Sequence, residues 1–169
     1  MSHREHREQA PRSLSLAVIT VSDTRTPETD ECGKLIGDLC RAAGHSVADW
    51  RVVPDEPDLV RAELAAALGR ADVQAVLMNG GTGISARDRT FEAIAGALDR
   101  RIDGFGELFR ALSFQEIGAA AMLSRAVAGL CSGKPVFSMP GSPAAARLAM
   151  EKLILPELGH VVAEAGRRT

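Results

Sequence analysis

Dense apolar runs alternate with amphipathic stretches along most of this chain. Four runs are rich in strand-forming apolar residues: 14–21, 47–53, 73–77 and 135–139. Between them, apolar residues recur at helical spacing, as in Cys32, Ile36, Leu39 and Ala43, and Gly44 follows as a helix C-terminal cap. Strands that alternate with helices predict an α/β domain, with helices covering both faces of a mostly parallel sheet.

The pattern after residue 98 is less regular. Residues 102–117 have helical spacing, and Gly118 with the small residues after it predicts a break. Residues 124–129 fit a short strand or a connector equally well. The last strand leads into a predicted helix over residues 144–155 that Pro156 should stop, followed by one more short helix.

Polar or glycine-rich turns follow four of the predicted strands. Because sheets of this kind bind ligands at the carboxyl ends of their strands, we expect these turns to share one edge of the sheet. The candidate residues in these turns are Ser22, Asp23, Asp55, Gly80, Gly81, Thr82, Gly83, Ser85, Asp88, Pro140, Gly141 and Ser142.

The most informative turn is Asn79-Gly80-Gly81-Thr82-Gly83, which lies between a strand and a helix. Glycines leave backbone N–H groups accessible, so this turn could hold a phosphate. Residues 81–86 also fit a loose dinucleotide motif, GxGxxA, but that motif belongs after the first strand, and no Gly-Lys-Ser/Thr completes a P-loop. A purely structural turn and a phosphate-binding loop both remain open from the pattern alone.

Two aspartates, Asp55 and Asp88, stand in these turns. Each could cap a helix, since Asp55 precedes Pro57 and Asp88 has capping-box spacing from Ser85. Together on one edge, two carboxylates beside bound phosphate could hold Mg²⁺ directly or through its water.

Other residues support an anion site with less specificity. Ser142-Pro143 is a typical helix start after a strand, and such a start also favours anions. Arg125 has small or apolar neighbours and is a candidate phosphate contact. The apolar side chains between Phe105 and Phe114 predict core or a subunit contact.

Composition narrows the functional classes. The chain has 169 residues, a net charge of −2 and no basic excess, which argues against nucleic-acid or membrane binding. Three cysteines without a CxxC pair fit reduced thiols, so we expect a cytoplasmic protein. Residues 1–13 are polar and aperiodic and predict a mobile arm, and residues 14–169 predict a single domain.

Five separated motifs, in order, resemble the MoaB/MogA family of molybdenum cofactor biosynthesis proteins. They are Asn79-Gly80-Gly81-Thr82-Gly83, Arg87-Asp88-Arg89-Thr90, Gly104-Phe105-Gly106-Glu107, Leu123-Ser124-Arg125-Ala126 and Met139-Pro140-Gly141-Ser142-Pro143. The similarity extends from about residue 14 to residue 158. It implies a three-layer α/β/α fold, a mostly parallel sheet and a homotrimer or homohexamer.

The resemblance also implies molybdopterin binding and adenylyl transfer. In that reaction the terminal phosphate of molybdopterin attacks the α-phosphate of Mg-ATP, which releases pyrophosphate. The family's essential acids match Asp55 and Asp88, and molybdate insertion would need a separate protein. The alternative is a carrier or scaffold subunit that binds molybdopterin without catalysis. A nicotinamide-dependent oxidoreductase rests only on the loose glycine motif and ranks last.

Overall fold

The structure is a computed structural model that describes residues 10–167. Its strands are β1 (Ser15–Val21), β2 (Ser46–Val53), β3 (Ala75–Asn79), β4 (Arg100–Arg101), β5 (Val127–Cys131) and β6 (Lys134–Met139). Its α-helices are α1 (Glu31–Ala42), α2 (Pro57–Gly69), α3 (Thr90–Ala97), α4 (Asp103–Ile117), α5 (Pro143–Ala149) and α6 (Leu155–Ala165). A 3₁₀ helix covers Gly118–Leu123, and a π-helical segment covers Met150–Ile154.

The six strands form one sheet in the order β2-β1-β3-β6-β5-β4. The strands β1, β2, β3 and β6 run parallel, so their carboxyl ends lie at one edge. Strand β5 is antiparallel to β6 and to β4, which answers the open question about residues 124–129. The prediction of a mostly parallel sheet is therefore confirmed.

Helices cover both faces, which completes the three layers. Alternate residues of β1 contribute to different cores: Leu16 and Val18 pack toward α1, α4 and α5, whereas Ala17 and Ile19 pack toward α2 and α3. Burial on both faces explains why this strand is a continuous apolar run rather than an alternating one.

The prediction that Pro156 stops the last long helix is wrong. The chain stays helical from α5 through the π-helical segment into α6, and Pro156 lies in the first turn of α6. The backbone N–H of Leu155 donates to the carbonyl of Met150, five residues back. A π-helical turn shifts the hydrogen-bond register, and a proline at the start of the resumed helix has no N–H to satisfy.

The predicted arm, residues 1–13, falls largely outside the described residues. Residues 10–13 form neither helix nor strand, and the carbonyl of Pro11 lies close to Gly159 of α6. Within residues 10–167, no helix has both the length and the apolar character needed to cross a membrane.

Candidate functional site

The four polar turns meet at the carboxyl edge of the parallel strands, which we call the rim. The backbone N–H of Ser22, after β1, donates to the carbonyl of Val53 at the end of β2 (2.9 Å). The backbone N–H of Gly80, after β3, donates to the carbonyl of Met139 at the end of β6 (3.1 Å). Since β1 and β3 are themselves paired, the four turns form one continuous surface.

A cavity of about 490 Å³ opens at the rim, and we call it the rim cavity. Nine of the residues predicted for the site line it: Ser22, Gly80, Gly81, Thr82, Gly83, Asp88, Pro140, Gly141 and Ser142. Asp23, Asp55, Ser85 and Arg125 are not part of its wall. The cavity is large enough for a small organic ligand, and its wall combines the glycine-rich and polar turns with apolar side chains.

The glycine loop, residues 80–88, needs glycine at its first two positions. Gly80 and Gly81 have φ angles of +95° and +64°, a region that residues with a side chain rarely adopt. A Cβ atom on Gly80 would lie 2.1 Å from the carbonyl oxygen of Val21, and one on Gly81 would lie 2.2 Å from Oγ1 of Thr90. The sequence of this turn is therefore fixed by close backbone packing against β1 and α3.

Four consecutive backbone N–H groups in the glycine loop have no hydrogen-bond acceptor within residues 10–167. They belong to Gly81, Thr82, Gly83 and Ile84. The first three of these residues line the rim cavity. Thr82 is buried and Gly81 half-buried, whereas Gly83 and Ile84 are exposed. A run of accessible donors beside a cavity is suited to an anionic ligand.

Asp55 lies directly behind the glycine loop. Its Oδ1 accepts hydrogen bonds from Oγ1 of Thr90 (2.9 Å) and from the backbone N–H of Arg89 (3.4 Å) at the start of α3. Its Oδ2 faces Gly81, at 2.8 Å from where a Cβ would be. Burial raises the pKa of Asp55, the nearby charges of Asp88 and Asp23 add to that rise, and the Thr90 and Arg89 bonds oppose it.

Asp88 lies in the wall of the rim cavity and closes the glycine loop on itself. Its Oδ2 accepts from the backbone N–H of Ser85 (3.0 Å) and from the Ser85 hydroxyl. This is half of a capping box, but it closes a turn and does not lie at the start of α3. The N-cap residue of α3, Arg89, makes no capping hydrogen bond with its side chain. Oδ2 and Oδ1 lie 2.6 Å and 3.2 Å from where a Cβ on Gly83 would be, so the carboxylate faces the loop backbone.

Asp23 connects the turn after β1 with the other two acidic turns. Its Oδ1 accepts from the backbone N–H of Asp55 (3.0 Å), and its Oδ2 accepts from the Arg87 guanidinium (2.7 Å). These hydrogen bonds stabilise the charged form and lower the pKa of Asp23, with the Arg87 bond as the largest cause. Asp23 thus holds Asp55 and the glycine loop in register and does not line the rim cavity.

Ser142 begins α5 as the sequence predicts. Its hydroxyl accepts from the backbone N–H of Ala145 (3.2 Å), and Pro143 occupies the first turn. Gly141 lies so close to Gly80 that a Cβ on it would be 3.0 Å from the Gly80 Cα. The start of α5 therefore lies directly beside the glycine loop, and both line the rim cavity.

Arg125 and Ser85 lie on the far side of the glycine loop. The Arg125 guanidinium donates to the carbonyls of Thr82 (3.2 Å), Gly83 and Asp88 (2.8 Å). A second cavity on that side is lined by Ser85, Arg125 and Asp88, so the loop separates two hollows and Asp88 lines both.

The structure adds several residues to the rim cavity that were not predicted from the sequence. Arg25 extends from the turn after β1 and donates to the carbonyl of Gly141 (3.1 Å), which joins that turn to the turn after β6. The remaining wall comes from α4 and the 3₁₀ helix through Phe109, Ser113, Ile117, Leu123 and Ser124. Arg25 follows Ser22-Asp23-Thr24 directly and could have been included. The α4 residues carry no such signal, because only the tertiary fold brings them to the rim.

Comparisons with known proteins agree with this architecture. Residues 17–160 match the family described as "Probable molybdopterin binding domain". The chain is 53% identical over 165 residues to molybdenum cofactor biosynthesis protein B of Halalkalibacterium halodurans, covering 97% of each chain.

Two solved structures are also similar. A crystal structure of molybdenum cofactor biosynthesis protein B superposes with a TM-score of 0.91 at 51% identity, covering 95% of this chain and 100% of the other. The tungsten cofactor synthesizing protein MoaB from Pyrococcus furiosus superposes with a TM-score of 0.84 at 35% identity, covering 94% and 100%. Sequence and structure therefore agree that the chain belongs to the MoaB/MogA family of molybdenum cofactor biosynthesis proteins.

Proposed function

We propose that the chain binds molybdopterin in the rim cavity and adenylylates it with Mg-ATP, releasing pyrophosphate. The observation that carries this proposal is the run of N–H groups at Gly81, Thr82 and Gly83 without an acceptor in residues 10–167, in three residues that line one cavity together with the start of α5. A phosphate between them would receive backbone hydrogen bonds from the loop, and the helix dipole at Ser142 would favour its charge.

The acidic residues fit a role in holding Mg²⁺ on the substrates' phosphates. Within residues 10–167, no group of three or more His, Cys, Asp or Glu side chains could hold a metal alone. Asp55 and Asp88 nevertheless supply hard oxygen donors, and among the described residues each uses only one oxygen in hydrogen bonds. One or two carboxylates with substrate phosphates are the usual Mg²⁺ environment, and the bound ion would neutralise phosphate charge.

The chain's own residues supply positioning and electrostatics. The attacking terminal phosphate of molybdopterin is already an anion, so the reaction needs no strong general base. The glycine-loop amides and the start of α5 orient that group, and Asp55 is kept close behind the loop by Thr90. Fixed donors of this kind stabilise charge in the transition state without reorganising during the reaction.

A non-catalytic carrier is the second candidate function, and a specific observation favours it. Asp55 and Asp88 both already have structural partners, Asp55 at the start of α3 and Asp88 at the Ser85 turn. Both could serve only to shape the glycine loop. Such a protein would bind molybdopterin and release no pyrophosphate.

Pyrophosphate release separates the two functions. Wild-type protein, molybdopterin and ATP should give pyrophosphate only when Mg²⁺ is present, and Asp88→Asn should reduce the rate by about 100-fold or more. The matched control is Asp38→Asn, an exposed aspartate of α1 paired with Arg41, which should turn over like the wild type. Molybdopterin binding without Mg²⁺-dependent pyrophosphate release would establish the carrier function instead.

Association with other chains is part of the same proposal. Five large apolar side chains of α4 and the 3₁₀ helix are more than half exposed: Leu108, Phe114, Ile117, Met122 and Leu123. Exposed apolar clusters of this kind mark contact surfaces, which supports association of the chain with copies of itself. The resemblance to the family implies that the assembly is a homotrimer or homohexamer. Phe114→Glu should lower the mass of the assembly in light scattering, and a mass equal to that of the wild type would contradict a role for this surface in association. We expect the protein to act in the cytoplasm and to pass adenylylated molybdopterin to a separate molybdate-insertion protein.

A further inference from the structure

The Arg125 guanidinium is enclosed by carbonyl groups of the glycine loop. It donates to the carbonyls of Thr82, Gly83 and Asp88, and it pairs with Glu92. Its carbon lies 4.9 Å from the centre of the Phe91 ring. A planar fork of five N–H donors can serve several acceptors in one plane, which a lysine ammonium cannot do in the same way.

Because of peptide-bond geometry, these contacts also set the direction of N–H groups on the other side of the loop. In a trans peptide, the carbonyl of one residue and the N–H of the next point in opposite directions. Turning the carbonyls of Thr82 and Gly83 toward Arg125 therefore turns the N–H groups of Gly83 and Ile84 away from it. Those two N–H groups belong to the unpartnered run; Gly83 lines the rim cavity, whereas Ile84 and Arg125 line the hollow on the other side of the loop.

The third carbonyl connects Arg125 to Asp55. With the carbonyl of Asp88 held by Arg125 (2.8 Å), the N–H of Arg89 points the other way and donates to Oδ1 of Asp55 (3.4 Å). One guanidinium thus orients three peptide planes. Two lie in the glycine loop, and the third carries the N–H that donates to the Asp55 carboxylate.

We propose that Arg125 is a positioning residue, which sets the direction of the Gly83, Ile84 and Arg89 N–H groups and does not contact the ligand. The inference rests on the proposed function for its effect on turnover. It replaces the expectation from the sequence that Arg125 binds phosphate itself.

The test uses Arg125→Ala, Arg125→Lys and a rescue by free ethylguanidinium. Turnover by Arg125→Ala should fall by about 100-fold, as expected when several charge-assisted hydrogen bonds are lost. Millimolar ethylguanidinium should raise the turnover of Arg125→Ala at least about tenfold, whereas ethylammonium should not, since only the planar fork reproduces the contacts. Arg125→Lys should remain impaired. The control Arg41→Ala, which removes an exposed arginine of α1, should keep wild-type turnover and not respond to ethylguanidinium.

An amide readout separates this inference from the proposed function. Hydrogen exchange at the Arg89 N–H should accelerate in Arg125→Ala and slow again with ethylguanidinium, whether or not the protein adenylylates molybdopterin. Inorganic pyrophosphate should shift the Gly83 amide resonance in the wild type and not in Arg125→Ala. Unchanged Arg89 exchange in a folded Arg125→Ala would overturn the inference, as would ethylguanidinium that restores neither exchange nor turnover. A wild type without turnover would defeat only the proposed function.

Discussion

Gly81→Ala tests the close packing that places Asp55 behind the glycine loop. Gly81 has a φ of +64°, and a Cβ there would lie 2.2 Å from Oγ1 of Thr90 and 2.8 Å from Oδ2 of Asp55. Alanine would have to adopt an unfavourable backbone conformation and also displace the Thr90 hydroxyl from Asp55. The substitution adds only one methyl group, so its effects come from these two sources.

Each of these two effects has a typical cost in free energy. A residue with a side chain in the left-handed region costs about 1–2 kcal/mol. Losing a hydrogen bond to a charged group costs about 1.5–3 kcal/mol, and here the Thr90–Asp55 bond (2.9 Å) is at stake. We therefore expect Gly81→Ala to lower the free energy of unfolding by about 2.5–5 kcal/mol and to abolish pyrophosphate release.

Urea denaturation measures the loss, and Gly96→Ala is the matched control. Gly96 lies in α3 with no atom within 4 Å of where its Cβ would be. Alanine there should leave the free energy of unfolding unchanged or raise it by up to about 1 kcal/mol, because glycine disfavours helix. A Gly81→Ala protein within about 0.5 kcal/mol of wild type would refute the described packing, since this falls below every contribution above.

Three further substitutions test separate contacts. Thr90→Val should raise the pKa of Asp55, because the hydrogen bond that it removes favours the charged carboxylate. Titration of the carboxyl group by NMR measures this pKa, and an unchanged value would contradict the Thr90–Asp55 contact. His45 accepts from the backbone N–H of Leu14 (3.2 Å), and burial lowers its pKa. The unfolded chain therefore binds protons more readily, and stability should rise with pH through about 6.5 and level off above it; His45→Asn should flatten that rise, and equal slopes would exclude the effect. Lys134→Met removes two hydrogen bonds to carbonyls at the end of α2, so it should cost about 1–3 kcal/mol in urea denaturation; a loss below that range would show that the helix end needs no such cap.

The parallel part of the sheet could be predicted because its strands carry their own signal. Burial on both faces makes β1, β3 and β6 continuous apolar runs, and parallel strands bring their carboxyl ends to one edge. Strand β4 was missed, because two exposed arginines form it only by pairing with β5. Pro156 does not end the helix because a π-helical turn, which the sequence pattern does not predict, lets the helix resume around it.

The candidate site also has a part that could be predicted from the sequence and a part that could not. Residues of the turns, such as Gly81 and Ser142, could be identified because backbone geometry dictates their type locally. The partners that hold them could not, because Asp55 and Thr90 are separated by 35 residues and Arg125 and Thr82 by 43. Asp55 precedes Pro57 and could cap the helix that follows it, but the structure directs its carboxylate to the start of α3. Which helix an acidic residue caps is decided by the packing of distant loops.

The central claim is that the rim cavity holds the phosphate of molybdopterin on the backbone N–H groups of the glycine loop. A crystal structure of the chain with molybdopterin bound tests it most directly. We predict the terminal phosphate within hydrogen-bond distance of the Gly81, Thr82 or Gly83 amides, opposite Ser142 and in front of Asp55. Molybdopterin bound elsewhere, as in the hollow that Leu64, Leu68 and Cys131 line behind α2, with these amides unoccupied, would contradict the claim.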